Sequence, residues 1–126
     1  MLPLLESDLL TIMKACTEGT LADTEVKFAD AHACCVILAS NGYPSSYKKG
    51  FEITMTAEAA EHTYVAGAKL ENGKLVTSGG RVTGTTAIAA SLEDAIKEAY
   101  RISDDVKFEN AYRRSDIGQR ALQALK

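Results

Sequence analysis

Several features that would assign this 126-residue sequence to a particular class of protein are missing. It contains no tryptophan, two histidines and three cysteines, which are too few and too scattered to indicate a disulfide framework or a zinc site. No apolar run approaches the roughly 20 residues that cross a bilayer. The net charge of -3 also argues against nucleic acid or an anionic membrane surface as the main partner. An ordinary globular domain is therefore expected.

The cysteines and the N-terminus predict a cytoplasmic protein. The three cysteines, Cys16, Cys34 and Cys35, cannot all pair within one chain. Neighbouring residues such as Cys34 and Cys35 also point to opposite faces of a strand. The first six residues, MLPLLE, lack the basic region that begins a signal peptide. Reduced thiols and a cytoplasmic location are the expectation.

Four segments carry helix signals. The first has apolar residues at helical spacing after a capping Ser7 or Asp8, and Gly19 is a natural stop. The second begins at Ser91, whose hydroxyl can cap a strongly amphipathic segment. A last short helix is predicted between residues 117 and 126, and Thr56 can start a further short one.

Strand patterns occupy the middle of the chain. Residues 31–39 are a continuous apolar run, which predicts a strand buried on both faces. Residues 81–89 are rich in threonine and predict a second strand, with Gly84 as a bulge or a point of close approach.

The clearest local signal is a hairpin. Strand-like runs at residues 63–70 and 74–77 flank Asn72 and Gly73, and both of these residues tolerate positive φ. Strands in the middle with helices at both ends predict an α+β domain, built on an antiparallel or mixed sheet with flanking helices.

Residues 77–85, TSGGRVTGT, are one candidate binding segment. The adjacent Gly79 and Gly80 allow backbone N–H groups to converge on an anion, and Arg81 adds a planar pair of donors for phosphate or carboxylate. A tight turn with Arg81 on a solvated face explains the same residues. The spacing matches neither a P-loop nor a dinucleotide fingerprint.

Residues 40–50, SNGYPSSYKKG, are the other candidate segment. The loop leaves the end of a predicted strand, where ligand sites often lie, and Lys48 and Lys49 could meet an anion. A polar turn stiffened by Pro44 is the alternative. Further along the chain, Arg113 and Arg114 have carboxylates nearby in sequence, and a solvated surface is predicted there.

Taken together and in this order, several segments resemble the C-terminal part of the phosphoribosylamine–glycine ligase family, also called glycinamide ribonucleotide synthetases. The most specific are GYPSSYKKG at residues 42–50 and GGRVTG at 79–84, followed by YRRSDIG at 112–118. The resemblance covers nearly the whole chain.

The family comprises ATP-grasp enzymes of purine biosynthesis, which join glycine to 5-phosphoribosylamine with ATP through a glycyl phosphate. The resemblance implies that residues 1–28 are the tail of the ATP-grasp domain and that residues 29–126 are the C-terminal domain. It implies that ATP and Mg²⁺ bind mostly to the remaining ATP-grasp and N-terminal domains, which would be this chain's partners. We therefore expect the polypeptide to be a fragment that is inactive alone.

The resemblance and the two candidate segments together predict a set of substrate-binding residues, with no catalytic residue and no metal ligand. The set is Gly42, Tyr43, Pro44, Lys49, Gly79, Gly80, Arg81 and Gly84. Two other functions stay open: a standalone domain that binds a phosphorylated metabolite without catalysis, and a stable remnant without activity.

Overall fold

A computed structural model describes residues 1–125 of the chain. The helices are α1 (Leu9–Glu18), α2 (Ala57–Glu61), α3 (Leu92–Ser103) and α4 (Gln119–Ala124). The strands are β1 (His32–Ser40), β2 (Thr54–Met55), β3 (Thr63–Val65), β4 (Ala68–Glu71), β5 (Lys74–Thr77), β6 (Arg81–Ala89), β7 (Val106–Lys107) and β8 (Ala111–Tyr112).

The central sheet has the order β3-β6-β1-β8, and every pairing in it is antiparallel. Two smaller antiparallel pairs, β2-β7 and β4-β5, flank it, and α3 packs against β1 and β6. The predicted α+β class is confirmed. None of the helices within residues 1–125 has the length and apolar character needed to cross a membrane.

Burial along β1 corrects one prediction. Val36 and Leu38 are buried in the core that α3 covers, whereas Cys35 and Ile37 are exposed on the opposite face. The prediction that this strand is buried on both faces is wrong, because the elements within residues 1–125 bury only the α3 side. We call the uncovered side, which carries Cys35 and Ile37, the outer face.

The predicted hairpin is confirmed. β4 and β5 pair around Asn72 and Gly73, which have φ values of 51° and 78°. The strand-like run at residues 63–70 is split, however, into β3 and β4. The split falls at Gly67, where an added Cβ would lie 2.8 Å from the Cα of Gly79, so two chain segments cross closely at this point.

The helix ends follow the local signals. Asp8 accepts a hydrogen bond from the Thr11 amide at 2.7 Å, and Gly19 ends α1 with a φ of 74°. Ser91 caps α3. The last helix is also present, although Lys126 lies outside the described residues.

We expect Ser91→Ala to lower the free energy of unfolding by about 1 kcal/mol. Ser91 Oγ accepts a hydrogen bond from the Asp94 amide at 3.1 Å and donates to the Asp94 carboxylate at 2.7 Å. Ser91→Gly is the control, because glycine at an N-cap costs only a few tenths of a kcal/mol. Urea denaturation compares the two variants, and an alanine variant as stable as the wild type would contradict the role of this cap.

Candidate functional site

The two candidate segments lie side by side at the end of β1. The Ser40 amide donates to the Gly80 carbonyl at 2.8 Å, and Ser40 Oγ donates to the Gly79 carbonyl at 3.2 Å. The Tyr43 ring lies directly over Gly80, so that a Cβ added to Gly80 would overlap the ring. The Tyr43–Pro44 peptide bond is cis. The structure therefore brings the loop of residues 40–50 and the Gly79–Arg81 segment into one surface.

Two adjoining cavities open on the outer face, and Tyr43 and Arg81 line both of them. The β8 cavity, of about 530 Å³, is also lined by Pro44, Arg113 and Arg114. The β3 cavity, of about 560 Å³, is also lined by Tyr64, Gly80 and Gly84. Both volumes lie in the range of small-molecule sites.

Gly84 provides the space of the β3 cavity. It is in regular register between Ile37 of β1 and Tyr64 of β3. A Cβ at this position would lie 3.0 Å from Cys35 Sγ and 3.1 Å from Ile37 Cδ1, so it would project into the outer face. Gly84 is therefore a point of close approach and not a bulge, and the irregularity in β1 falls between Leu38 and Ala39.

Arg81 is the exposed cation shared by the two cavities. Within residues 1–125 its guanidinium forms no ion pair with a carboxylate. A guanidinium offers five N–H donors in a planar fork, which fits phosphate or carboxylate oxygens. Arg81 can therefore bind an anion without first breaking an ion pair with a described residue.

The backbone amides beside Arg81 are less available than the sequence suggested. The Ser78 and Gly79 amides donate to the Gly67 carbonyl at 2.8 and 2.9 Å. An added Cβ at Gly79 would lie 2.9 Å from the Gly67 Cα. The Gly79 amide is therefore not free for the predicted anion cradle, because the Gly67 carbonyl already accepts its hydrogen bond.

Five of the eight predicted substrate-binding residues line the two cavities: Tyr43, Pro44, Gly80, Arg81 and Gly84. Gly42, Lys49 and Gly79 line neither cavity. Lys49 Nζ lies 5.5 Å from the centroid of the Tyr47 ring, which in turn contacts Tyr43 edge to face. Substrate binding by the eight residues stays a prediction.

The predicted substrate-binding residues do not include Arg113 and Arg114, for which a solvated surface was expected; Arg114 is exposed as expected, whereas Arg113 is half-buried. Both line the β8 cavity. The Arg113 side chain is only 29% exposed, and its guanidinium donates to Ser103 Oγ, to the Asp104 carboxylate and to the Tyr100 carbonyl. The sequence signal for this segment was the motif YRRSDIG. The groups that hold Arg113 lie 9 to 13 residues earlier, at the C-terminal end of α3.

Arg114 has a different environment from Arg113. It forms a two-pronged pair with Asp116, at 2.7 and 2.6 Å, and 68% of its side chain is exposed. This hydrogen-bonded pairing raises the pKa of Arg114 and lowers the pKa of Asp116. Both groups stay charged at neutral pH, so Arg114 is a cation at the cavity with the Asp116 carboxylate as its counterion.

Within residues 1–125, neither the thiols nor the carboxylates form a metal-binding cluster. All three cysteines are free thiols, as predicted. Cys34 is buried, and this burial raises the pKa of its thiol, whereas Cys35 is exposed beside both cavities. In the part of the chain that the structure describes, no three side chains of the His, Cys, Asp and Glu types converge on a possible metal site. These residues therefore do not fit Mg²⁺.

Comparison with known proteins agrees with this architecture. The model of the family "Phosphoribosylglycinamide synthetase, C domain" matches residues 33–120. The chain is 47% identical over 125 residues to a bifunctional purine biosynthetic protein of Pichia angusta. This alignment covers 97% of the chain and 16% of that protein. It is also 47% identical over 117 residues to the phosphoribosylamine–glycine ligase of Caldanaerobacter subterraneus, covering 92% of this chain and 28% of the ligase.

A solved structure of a phosphoribosylamine–glycine ligase shares the fold of this chain. The crystal structure of phosphoribosylamine–glycine ligase from Thermotoga maritima matches with a TM-score of 0.70 and 32% identity, over 83% of this chain and 27% of that one. The chain thus spans a sixth to somewhat over a quarter of the length of the first relatives it matches. The family match and the shared fold show that the chain belongs to the phosphoribosylglycinamide synthetase C-domain family.

Proposed function

We propose that this chain acts as the C-terminal domain of an ATP-dependent ligase that joins glycine to 5-phosphoribosylamine in purine biosynthesis. The family match and the relatives named as ligases support the reaction. The observation that carries the proposal is the position of Arg81, an exposed cation at the boundary of two cavities, with Tyr43 beside it.

The outer face supplies binding and orientation to this reaction. Arg81 donates to the phosphate of 5-phosphoribosylamine or to the carboxylate of glycine, and both groups suit a planar guanidinium. Tyr43 and Tyr64 provide apolar surface with polar tips against the rest of the substrate. Such fixed donors and surfaces promote reaction by holding the reacting groups in place and by stabilising negative charge.

In this proposal, ATP and Mg²⁺ are held by the remaining ATP-grasp and N-terminal domains. Bound there, they supply the phosphoryl chemistry, and the outer face closes over the substrates. We also propose that residues 1–28 belong to the ATP-grasp domain and residues 29–126 to the C-terminal domain. The exposure of Leu10 and Met13 on α1 supports the division, because these apolar side chains lack a cover within residues 1–125. The three free thiols support the cytoplasmic location, which stays a prediction.

A chimaeric ligase tests this function. The chain replaces the matching segment of the Caldanaerobacter ligase, and turnover of glycine, 5-phosphoribosylamine and ATP is measured. We expect the chimaera to be active and the chain alone to be inactive. Turnover by the chain alone would contradict the need for other domains. An inactive chimaera of native stability, together with a chain that still binds ribose 5-phosphate, would favour a standalone binding module.

Arg81→Ala in the chimaera is expected to lower kcat/KM about tenfold to hundredfold, since a hydrogen bond to a charged group contributes about 1.5–3 kcal/mol. Thermal unfolding should change little, because Arg81 is exposed. The matched control is Lys107→Ala, which removes an exposed cation on β7 that lines neither cavity. An unchanged kcat/KM for Arg81→Ala would show that Arg81 is an ordinary surface residue.

A further inference from the structure

The segment that follows β8 is held in place on both sides of Arg114. Tyr112 pairs with Ala39 of β1. The Tyr100 hydroxyl, from α3, donates to the Arg114 carbonyl at 2.7 Å and accepts a hydrogen bond from the Ile117 amide at 3.0 Å. The backbone that carries Arg114 is therefore ordered before any ligand arrives, which reduces the entropy lost on binding.

The two adjacent arginines of this segment differ in whether their guanidinium groups are available to bind a ligand. The Arg113 guanidinium is occupied by Ser103, Asp104 and the Tyr100 carbonyl. Arg114 has one side-chain partner within residues 1–125, the carboxylate of Asp116, and the pair is exposed. Exposed ion pairs contribute little to stability, so Arg114 can exchange Asp116 for a ligand anion at small cost.

We propose that Arg114 is a second anion-binding residue of the β8 cavity, where it acts with Arg81 on the phosphate monoester of a sugar phosphate. Both arginines line this cavity, whose volume of about 530 Å³ fits a small sugar phosphate. A phosphate monoester has three acceptor oxygens and about two negative charges, which suits two guanidinium forks, whereas a carboxylate has two oxygens and one charge. This proposal rests on the proposed function, since it names the group that the same site binds.

The test is a titration of the 126-residue chain with ribose 5-phosphate at low salt, in which binding is measured by the change in amide NMR shifts. Arg114→Ala and Arg81→Ala should each raise the Kd about tenfold or more, as expected for the loss of one charge-assisted contact. The control is again Lys107→Ala, with an unchanged Kd. Inorganic phosphate should compete with ribose 5-phosphate, and glycine should not.

A second variant should change the Kd for ribose 5-phosphate in the opposite direction. Asp116→Asn removes the carboxylate that competes for Arg114, and it should lower the Kd about two- to threefold, a gain that damage to the fold would not produce. An unchanged Kd in Arg114→Ala, or competition by glycine alone, would overturn the proposal. No saturation of the wild-type chain at about 10 mM ribose 5-phosphate would overturn it too.

The titration separates this proposal from the function on which it rests. If Arg81→Ala weakens binding and Arg114→Ala does not, Arg114 is excluded and the proposed ligase function stands. If the chimaeric ligase is inactive while both arginine variants weaken binding, the ligase function fails and the two-arginine phosphate site stands.

Discussion

Gly42→Ala is expected to lower the free energy of unfolding by about 2–5 kcal/mol. Gly42 has a φ of 97°, and a positive φ costs a residue with a Cβ roughly 1–2 kcal/mol. An added Cβ would also overlap the carbonyl oxygen of Ser46 and lie 3.3 Å from its carbonyl carbon. Because these are backbone atoms of the same tight loop, no flexible side chain can move aside, and overpacking adds about 1–3 kcal/mol.

Gly50 provides the matched control at the other end of the loop. Its φ is 88°, close to that of Gly42, but an added Cβ would meet no atom of residues 1–125 within 4 Å. Gly50→Ala should therefore cost only the conformational part, about 1–2 kcal/mol. Urea denaturation of both variants isolates the clash as the difference between them. Equal losses would show that the loop relaxes around the new methyl group and that the contact with Ser46 is unimportant.

The helices were predictable because their signals are local. The carboxylate of Asp8 and the hydroxyl of Ser91 cap the first turns that follow them, and Gly19 ends α1 within the same stretch of sequence. The turn at Asn72 and Gly73 is local in the same sense. Such signals depend only on residues that are close in sequence, so they can be recognised without knowledge of the fold.

The burial of β1 was not predictable in this way. Cys35 and Ile37 are as apolar as the buried residues that alternate with them, so the run looks like a strand covered on both sides. The structure covers one face with α3 and leaves the other face open. An apolar face of this kind fits the proposal that further domains pack there, because large exposed apolar patches usually mark interaction surfaces.

The candidate site was predictable in its segments and not in its contacts. The structure places Tyr43 and Arg81, which come from the two predicted segments, on one cavity surface, and substrate binding by them stays a prediction. The motifs did not reveal that Gly67, ten or more residues earlier in the chain, occupies the Ser78 and Gly79 amides with its carbonyl. Nor did they reveal the hydrogen bonds that Arg113 donates to the end of α3, since these contacts depend on how the elements pack.

Arg113→Ala is expected to lower the free energy of unfolding by about 2–4 kcal/mol, although this arginine looks like surface in the sequence. Its guanidinium donates to the Tyr100 carbonyl at 3.2 Å and to Ser103 Oγ, and its centre lies 5.1 Å from the centroid of the Tyr100 ring. Hydrogen bonds from a charged donor contribute about 1.5–3 kcal/mol, and stacking on an aromatic ring adds about 0.5–1 kcal/mol. The loss is less than the sum, because the contacts form one network.

Arg114→Ala is the neighbouring control, and its denaturation midpoint should stay close to that of the wild type, since its pair with Asp116 is exposed. Arg113→Lys should recover only part of the loss, because an ammonium group cannot reproduce the planar fork that reaches Ser103 and Asp104 together. Equal stability of the two alanine variants would show that Arg113 does not hold the segment. If Arg113 does hold it, hydrogen exchange at the Ile117 amide should also accelerate in Arg113→Ala and not in Arg114→Ala, because the Tyr100 hydroxyl that binds this amide loses its stacked partner.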